Sequence, residues 1–348
     1  MSDGARDPLG DYLSFYRNRR VLITGGLGFI GSNLAHRLVS LGARVLIVDS
    51  LIPEYGGNLF NIDGIEERVR VNIADVRQQS TMNYLVREQD VIFNLAGQVS
   101  HIDSMQDPYT DLEINCRSQL FILEACRRNN PAVKVVYAST RQVYGRPESL
   151  PVSESHLVRP TDINGINKAA GEYYHLVYNN VFGVRAAVLR LSNVYGPRQL
   201  LKHNRQGFIG WFIRLAIEGG DIEIYGDGTQ LRDFVYVEDA ADAFLRAGAT
   251  DTANGQVLNV GGNEPVAHRT LVAMLVDVAG TGTYRFVEWP ADKKAIDIGD
   301  FITDSTAIAR VLGWRAVTPL REGFERTLAF YRAHLGHYVP VPSSVSVP

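Results

Sequence analysis

Residues 21–31 read VLITGGLGFIG, a short apolar run followed at once by glycines 25, 28 and 31. Ile30, Leu34, Leu38 and Leu41 then recur at helical spacing. Glycines at such a strand-to-helix junction permit a tight turn, let the main chain approach a pyrophosphate and let the helix pack on the strand. The helix N-terminus turns its free amides toward the phosphates. A second run, RVLIVD (44–49), ends in Asp49, 18 residues beyond Gly31. A carboxylate there reaches the ribose hydroxyls and repels a 2′-phosphate, which predicts NAD rather than NADP. The expected cofactor set is Gly25, Gly28, Phe29, Ile30, Gly31 and Asp49, with Ile73 and Asp75 closing the third strand and Leu95, Ala96 and Gly97 ending the fourth. An Asp at position 75 also suits a helix N-cap.

The strand-helix alternation continues through VRVNI (69–73), VIFNLA (91–96), KVVYAS (134–139) and VRAAVLRL (184–191), six parallel strands in all. This predicts an α/β fold, a Rossmann-type doubly wound parallel sheet with a smaller mixed α/β C-terminal substrate lobe. Beyond residue 193 the short runs IEIYG (222–226) and VLNVGG (257–262) lie among helices near 206–219, 238–249, 269–279, 304–312 and 320–335. The expected domains are 1–193 for NAD, 194–337 for substrate with the chain crossing back near 230–262, and a flexible tail over 338–348.

Composition narrows the partner. The 348 residues carry 35 Lys+Arg against 38 Asp+Glu, a net charge of −3, without a basic run of the kind that tracks phosphates. A small-molecule ligand is expected, with no nucleic acid, membrane or metal. The first twenty residues lack an apolar segment, no run reaches the length of a membrane span, and Cys116 and Cys126 stand too far apart on one predicted helix to bridge. A reducing, cytoplasmic setting is the expectation. Disorder and a disulfide scaffold are excluded.

The glycine motif, NLAG (94–97), VYG (143–145), Lys168, SNVYGPR (192–198) and LRDFVYVEDAADA (231–243) together resemble the extended short-chain dehydrogenase/reductase family over residues 19–335. Members with this layout are NAD-dependent nucleotide-sugar epimerases, dehydratases and decarboxylases, so the resemblance implies a nucleotide-diphosphate sugar between two lobes, and commonly a homodimer through helices at 108–130 and 161–182. NLAGQV (94–99), DLEIN (111–115) and RQGFIGWF (205–212) are most similar to the branch of 2-epimerases that acts on CDP-paratose.

The resemblance places the reacting centre on Thr140 and Lys168, with Lys168 also a cofactor contact, and it puts Asn164 where the family carries its acid/base tyrosine. An amide cannot cycle a proton. Lys168 is the first replacement, ahead of Tyr144, Tyr173, His101 or a water held by Thr140 and Asn164. Tyr144 otherwise reads as a packing residue, and Tyr173 and Tyr174 as the core face of their helix. Family dehydratases place Asp-Glu directly after the Thr; Arg141 and Gln142 stand there instead, which disfavours elimination of water and makes decarboxylation less favoured than epimerisation. The expected substrate contacts are Gln98, His101, Arg141, Gln142, Asn193, Arg198, Arg205, Gln206, Tyr225, Arg232 and Lys294. By resemblance Asn193, Arg232 and Lys294 serve the diphosphate, and Tyr225 offers a stacking face for the base. Two other readings stay open: an NAD and nucleotide-sugar binding protein without turnover, and an NAD-linked dehydrogenase or reductase.

Overall fold

The computed structural model describes residues 10–339. The first half contains strands β1 (Arg20–Thr24), β2 (Arg44–Asp49), β3 (Val69–Ile73), β4 (Val91–Asn94), β5 (Lys134–Thr140) and β6 (Arg185–Leu191). Helices α1 (Phe29–Ser40), α2 (Gln79–Leu85), α3 (His101–Gln106), α4 (Pro108–Leu112), α5 (Ser118–Asn129) and α6 (Ile163–Phe182) alternate with them. The second half adds strands β7 (Asn193–Tyr195), β8 (Asp221–Tyr225), β9 (Leu231–Tyr236), β10 (Val257–Val260), β11 (Pro265–Ala267) and β12 (Thr283–Val287). Its helices are α7 (Phe208–Glu218), α8 (Val237–Ala249), α9 (His268–Ala279), α10 (Ala291–Ile296), α11 (Thr306–Leu312) and α12 (Leu320–His334).

The main sheet has seven strands in the order β10-β6-β5-β4-β1-β2-β3, every neighbouring pair parallel. Val21, Leu22 and Ile23 are wholly buried because helices cover both faces, as a parallel sheet requires. The six expected strands are present, and VLNV, expected among the C-terminal strands, is the seventh, with Val257 opposite Val188. A four-residue apolar run carries no signal for which sheet it joins. Helices α8 and α11 accompany it onto the main sheet.

The remaining elements form a smaller lobe. β9 lies between β11, antiparallel, and β7, parallel, while β8 pairs with β12. Helices α7, α9 and α12 close on Ile213, Leu271, Leu275, Phe324 and Tyr331. Tyr338 and Val339, expected to be flexible, are buried in this core, and the Tyr338 hydroxyl donates to Asn61 Oδ1 at 2.7 Å. Residues 340–348 of the expected tail lie outside the described residues. The single helix expected over 108–130 is broken into α4, a π turn at Glu113–Arg117 and α5. Cys116 and Cys126 are free and buried.

Candidate active site

The cofactor cleft is built first by backbone. Gly25 has φ +70°, and a Cβ there would stand 2.9 Å from the Ala96 nitrogen; one on Gly31 would stand 2.3 Å from the Gly25 carbonyl oxygen. Only glycine lets this loop and the start of α1 close on one another. Asp49 braces the loop: its carboxylate accepts from Leu27 N at 3.0 Å and Leu51 N at 2.8 Å. Burial raises the Asp49 pKa, and those two bonds oppose the rise. The resulting cleft, about 1050 Å³, is lined by Gly25, Gly28, Phe29, Ile30, Gly31, Asp49, Asp75, Leu95, Ala96 and Gly97 among others, with two carboxylates and no Lys or Arg. This lining fits NAD and offers no Lys or Arg to a 2′-phosphate.

Asp75 faces the cleft and is clamped by Arg77, whose Nε and Nη2 donate at 2.9 and 2.6 Å. Burial works to raise this carboxyl, but the Arg77 bonds hold it below the usual range. Ile73 corrects the expectation. It is exposed and outside the cleft, on the same open face of edge strand β3 as the exposed Val71, while Ala74, Asp75 and Val76 beyond the strand end line the cleft.

Behind the cleft floor, Lys168 Nζ donates to the Ala138 carbonyl at 3.0 Å, 5.0 Å from the Tyr137 ring centroid. A Cβ on Gly97 would lie 3.1 Å from this Nζ, so ammonium and loop are in close approach. Burial lowers the Lys168 pKa to about 8, against the pull of Asp111 and Glu172. Lys168 sits on α6, whose first turn is capped by Asp162 Oδ1 accepting from Gly165 N at 2.7 Å. The helix is anchored below by Glu172, which receives Arg190 Nε at 2.9 Å and Nη2 at 2.6 Å as well as the Ser139 hydroxyl.

Asn164 is sealed inside. Its Nδ2 donates to the Gln98 carbonyl at 2.7 Å and to Asp111 Oδ2 at 3.1 Å. Asn115, at 3.0 Å, and Asn167, at 2.8 Å, also donate to the buried Asp111 carboxylate. Asn115 and Asp111 are absent from the expected set. Asn115 comes from the π turn, and its Oδ1 is buried without a partner beside Gly97. The Thr140 hydroxyl caps the following turn by accepting from Gln142 N at 3.2 Å.

A second cleft, about 1460 Å³, opens next to the first. Val99 and Gln206 line the cofactor cleft, whereas His101 and Asn204 line the second, so the two meet along these segments. The lining of the second cleft includes Arg141, Gln142, Arg232 and His268, and also Tyr225 and Trp289, whose rings stand 5.3 Å apart. Lys293 Nζ donates to the Tyr225 hydroxyl at 2.6 Å. Burial, then the nearby Arg232, lowers Arg141 to about 9, and Asp233, Asp297 and Asp162 oppose the fall. His268 is lowered to about 3 by burial, then by Arg232 and Arg141. Arg232 pairs with Asp297 at 3.3 Å.

Several expected substrate contacts lie elsewhere. Lys294 is exposed, since α10 turns Lys293 into the cleft instead. Arg198, at φ +71°, turns back to Asn33 Oδ1 at 2.9 Å and packs on Phe330. Arg205 pairs with Asp103 at 3.4 Å outside the cleft. Gln206 belongs to the cofactor cleft and Gln98 is buried, its amide donating to the Ser100 carbonyl. Asn193 stands behind the second cleft, accepting from Arg141 Nη2 at 3.0 Å and donating to the Asp233 carbonyl at 2.9 Å. Of the replacement tyrosines, Tyr144 is fully buried with its hydroxyl on Asn259 Oδ1 at 2.7 Å, as its packing role predicts. Tyr173 is 54% exposed, contrary to its expected core position, while Tyr174 packs against the core. Spacing alone favours none of Trp211, Phe212 or Trp289; only their shared cleft with Phe208 singles them out.

Comparison with known proteins places this geometry. The model of the NAD-dependent epimerase/dehydratase family matches residues 21–261, and the chain belongs to that family. It is 33% identical over 317 residues to a UDP-glucose 4-epimerase of Mycolicibacterium smegmatis, covering 90% of this chain and 98% of the relative. It is 29% identical over 334 residues to a CDP-paratose 2-epimerase of Salmonella typhi, covering 88% and 97%. The crystal structure of a dTDP-glucose 4,6-dehydratase from Streptomyces venezuelae with NAD bound superposes with a TM-score of 0.83 at 27% identity, covering 92% of this chain and 98% of that one. NAD is thus the cofactor, and nucleotide sugars are the substrate class of the relatives. No helix among the described residues is long and apolar enough to cross a membrane.

Proposed function

We propose that this protein epimerises a nucleotide-diphosphate sugar through a transient keto intermediate. The observation that carries this reading is the turn after β5. It presents Arg141 and Gln142 to the second cleft, where elimination of water would need an acid and a base. Bound NAD would supply reversible removal of hydrogen from a sugar carbon, regenerated within each turnover.

The chain's own residues supply the rest. Gly25, Gly28 and the α1 N-terminus receive the cofactor pyrophosphate, and Asp49 its ribose. Arg232 and Arg141 hold the substrate diphosphate in the second cleft, with Asn193 fixing the Arg141 guanidinium. Tyr225 and Trp289 offer the base an aromatic face. Lys168 places positive charge beneath Gly97 and stabilises charge developing on the reacting oxygen. Homodimerisation accords with an apolar stripe on α6, Ile166, Tyr173, Val177 and Val181, all at least 48% exposed. A soluble cytoplasmic enzyme is the setting that the reading implies.

The test is to incubate the purified protein with separate UDP-, CDP-, dTDP- and GDP-sugars, including deoxy sugars and uronic acids, and to follow the anomeric protons by NMR. A new anomeric signal at unchanged mass is expected. Loss of 18 or 44 mass units would replace epimerisation by dehydration or decarboxylation, and binding without any product would leave a non-catalytic binder.

A further inference from the structure

Removing hydrogen from a carbinol carbon also releases the hydroxyl proton, and the sealed Asn164 amide cannot accept it. The acceptor must reach the line where the cofactor and substrate clefts meet. Lys168 lines neither cleft. The Tyr144 hydroxyl is committed to Asn259 and Tyr173 points outward. His268 is too weak a base at about 3, and Asp297 is paired with Arg232.

His101 meets the requirement. It opens α3 two residues after Val99, and so lines the substrate cleft directly beyond a residue that lines the cofactor cleft. Its buried Nδ1, which makes no aligned hydrogen bond, stands 3.1 Å from Asp162 Oδ2, and the Asp162 side chain has no solvent exposure. Asp162 is held in place by the α6 N-cap bond and by Gln142 Nε2 at 3.0 Å. Burial alone would raise the Asp162 pKa, but the facing His101 imidazole and the bonds from Gly165 and Gln142 hold it below the usual carboxylate range. The carboxylate that starts the helix bearing Asn164 therefore also faces an imidazole at the joined clefts.

We propose that the His101–Asp162 pair is the acid/base of this protein, displaced from position 164 to the wall of the substrate cleft. The assignment rests on the epimerase reading. In the oxidative half the sugar C–H and O–H bonds break and C=O forms; the hydride leaves to NAD⁺ and the proton passes to His101 Nε2. In the return half both are given back, to the opposite face of the carbon and to its oxygen, so no external oxidant is consumed. Asp162 is a positioning residue that keeps the proton of neutral His101 on Nδ1 and leaves Nε2 free to accept.

Two measurements test this. In the protein without added sugar, ¹⁵N NMR of the His101 ring is expected to show the Nδ1-protonated tautomer, and Asp162→Asn is expected to abolish that preference; an Nε2–H tautomer in the wild type overturns the proposal. With a sugar nucleotide that the wild type turns over, His101→Gln is expected to lower kcat about 10²–10⁴-fold with NAD still bound, and His101→Gly to regain activity on adding imidazole. Undiminished turnover in His101→Gln overturns the assignment while leaving the epimerase reading intact. A wild type that converts no sugar nucleotide fails the epimerase reading itself and takes the assignment with it.

Discussion

Restoring the family's tyrosine should harm this protein. In Asn164→Tyr, a side chain 2% exposed gives way to a ring, and the Nδ2 bonds to the Gln98 carbonyl and Asp111 are lost. Asp111 keeps Asn115 and Asn167, so the carboxylate loses one of three amide donors and is not stripped. A hydrogen bond to a buried charged group contributes about 1.5–3 kcal/mol, and overpacking a filled site costs about 1–3 kcal/mol. The sum, about 2.5–6 kcal/mol, corresponds to a fall in Tm on the order of 3–8 °C for a chain of 348 residues. Asn164→Ala removes the bonds without the ring and should lose only the first part. Calorimetry of the three proteins, with turnover measured alongside, decides the matter. A tyrosine variant as stable as wild type, or a faster one, would refute the view that Asn164 is a structural member of the Asp111 cage and that the proton is handled elsewhere.

Lys168→Met should abolish turnover while the cofactor stays bound, measured by retained NAD after gel filtration. The same variant isolates a pH effect. With its folded pKa lowered to about 8 from 10.5, Lys168 binds fewer protons folded than unfolded between those values. Wild-type stability should therefore rise relative to Lys168→Met as pH increases from about 8 to 10.5, by roughly 3 kcal/mol, visible in urea midpoints. Gly31→Ala drives a Cβ to 2.3 Å from the Gly25 carbonyl oxygen and should abolish NAD binding by fluorescence titration. Glu172→Gln leaves Arg190 buried against a neutral partner and should cost about 3–5 kcal/mol, largely recovered in Glu172→Leu/Arg190→Met.

Local signals carried the cofactor half of the site. Gly25, Gly31 and Asp49 belong to one contiguous β-α-β unit, so periodicity, glycine geometry and spacing act within about 30 residues, and the folded cleft uses them as read. The six strands of the first half were legible for the same reason: strands covered on both faces are continuous apolar runs. Lys168 and the family likeness were also written in the chain, together with the missing tyrosine.

Tertiary structure alone decided the rest. The crossing back expected near 230–262 takes the form of β10 as a seventh strand, and its place beside β6 is fixed by a pairing that a four-residue run does not specify. Lys293 rather than Lys294 enters the substrate cleft because one residue rotates a helical side chain by about 100°. Arg198 reads as a substrate contact beside a Gly-Pro turn, yet its left-handed backbone turns it to Asn33. His101 and Asp162 lie 61 positions apart, and neither sits in a motif that names the other. Their pairing exists only because α3 packs against the start of α6 at the point where the two clefts meet. Sequence reports the chemistry that neighbouring residues share; which distant groups face one another across a cleft is settled by packing.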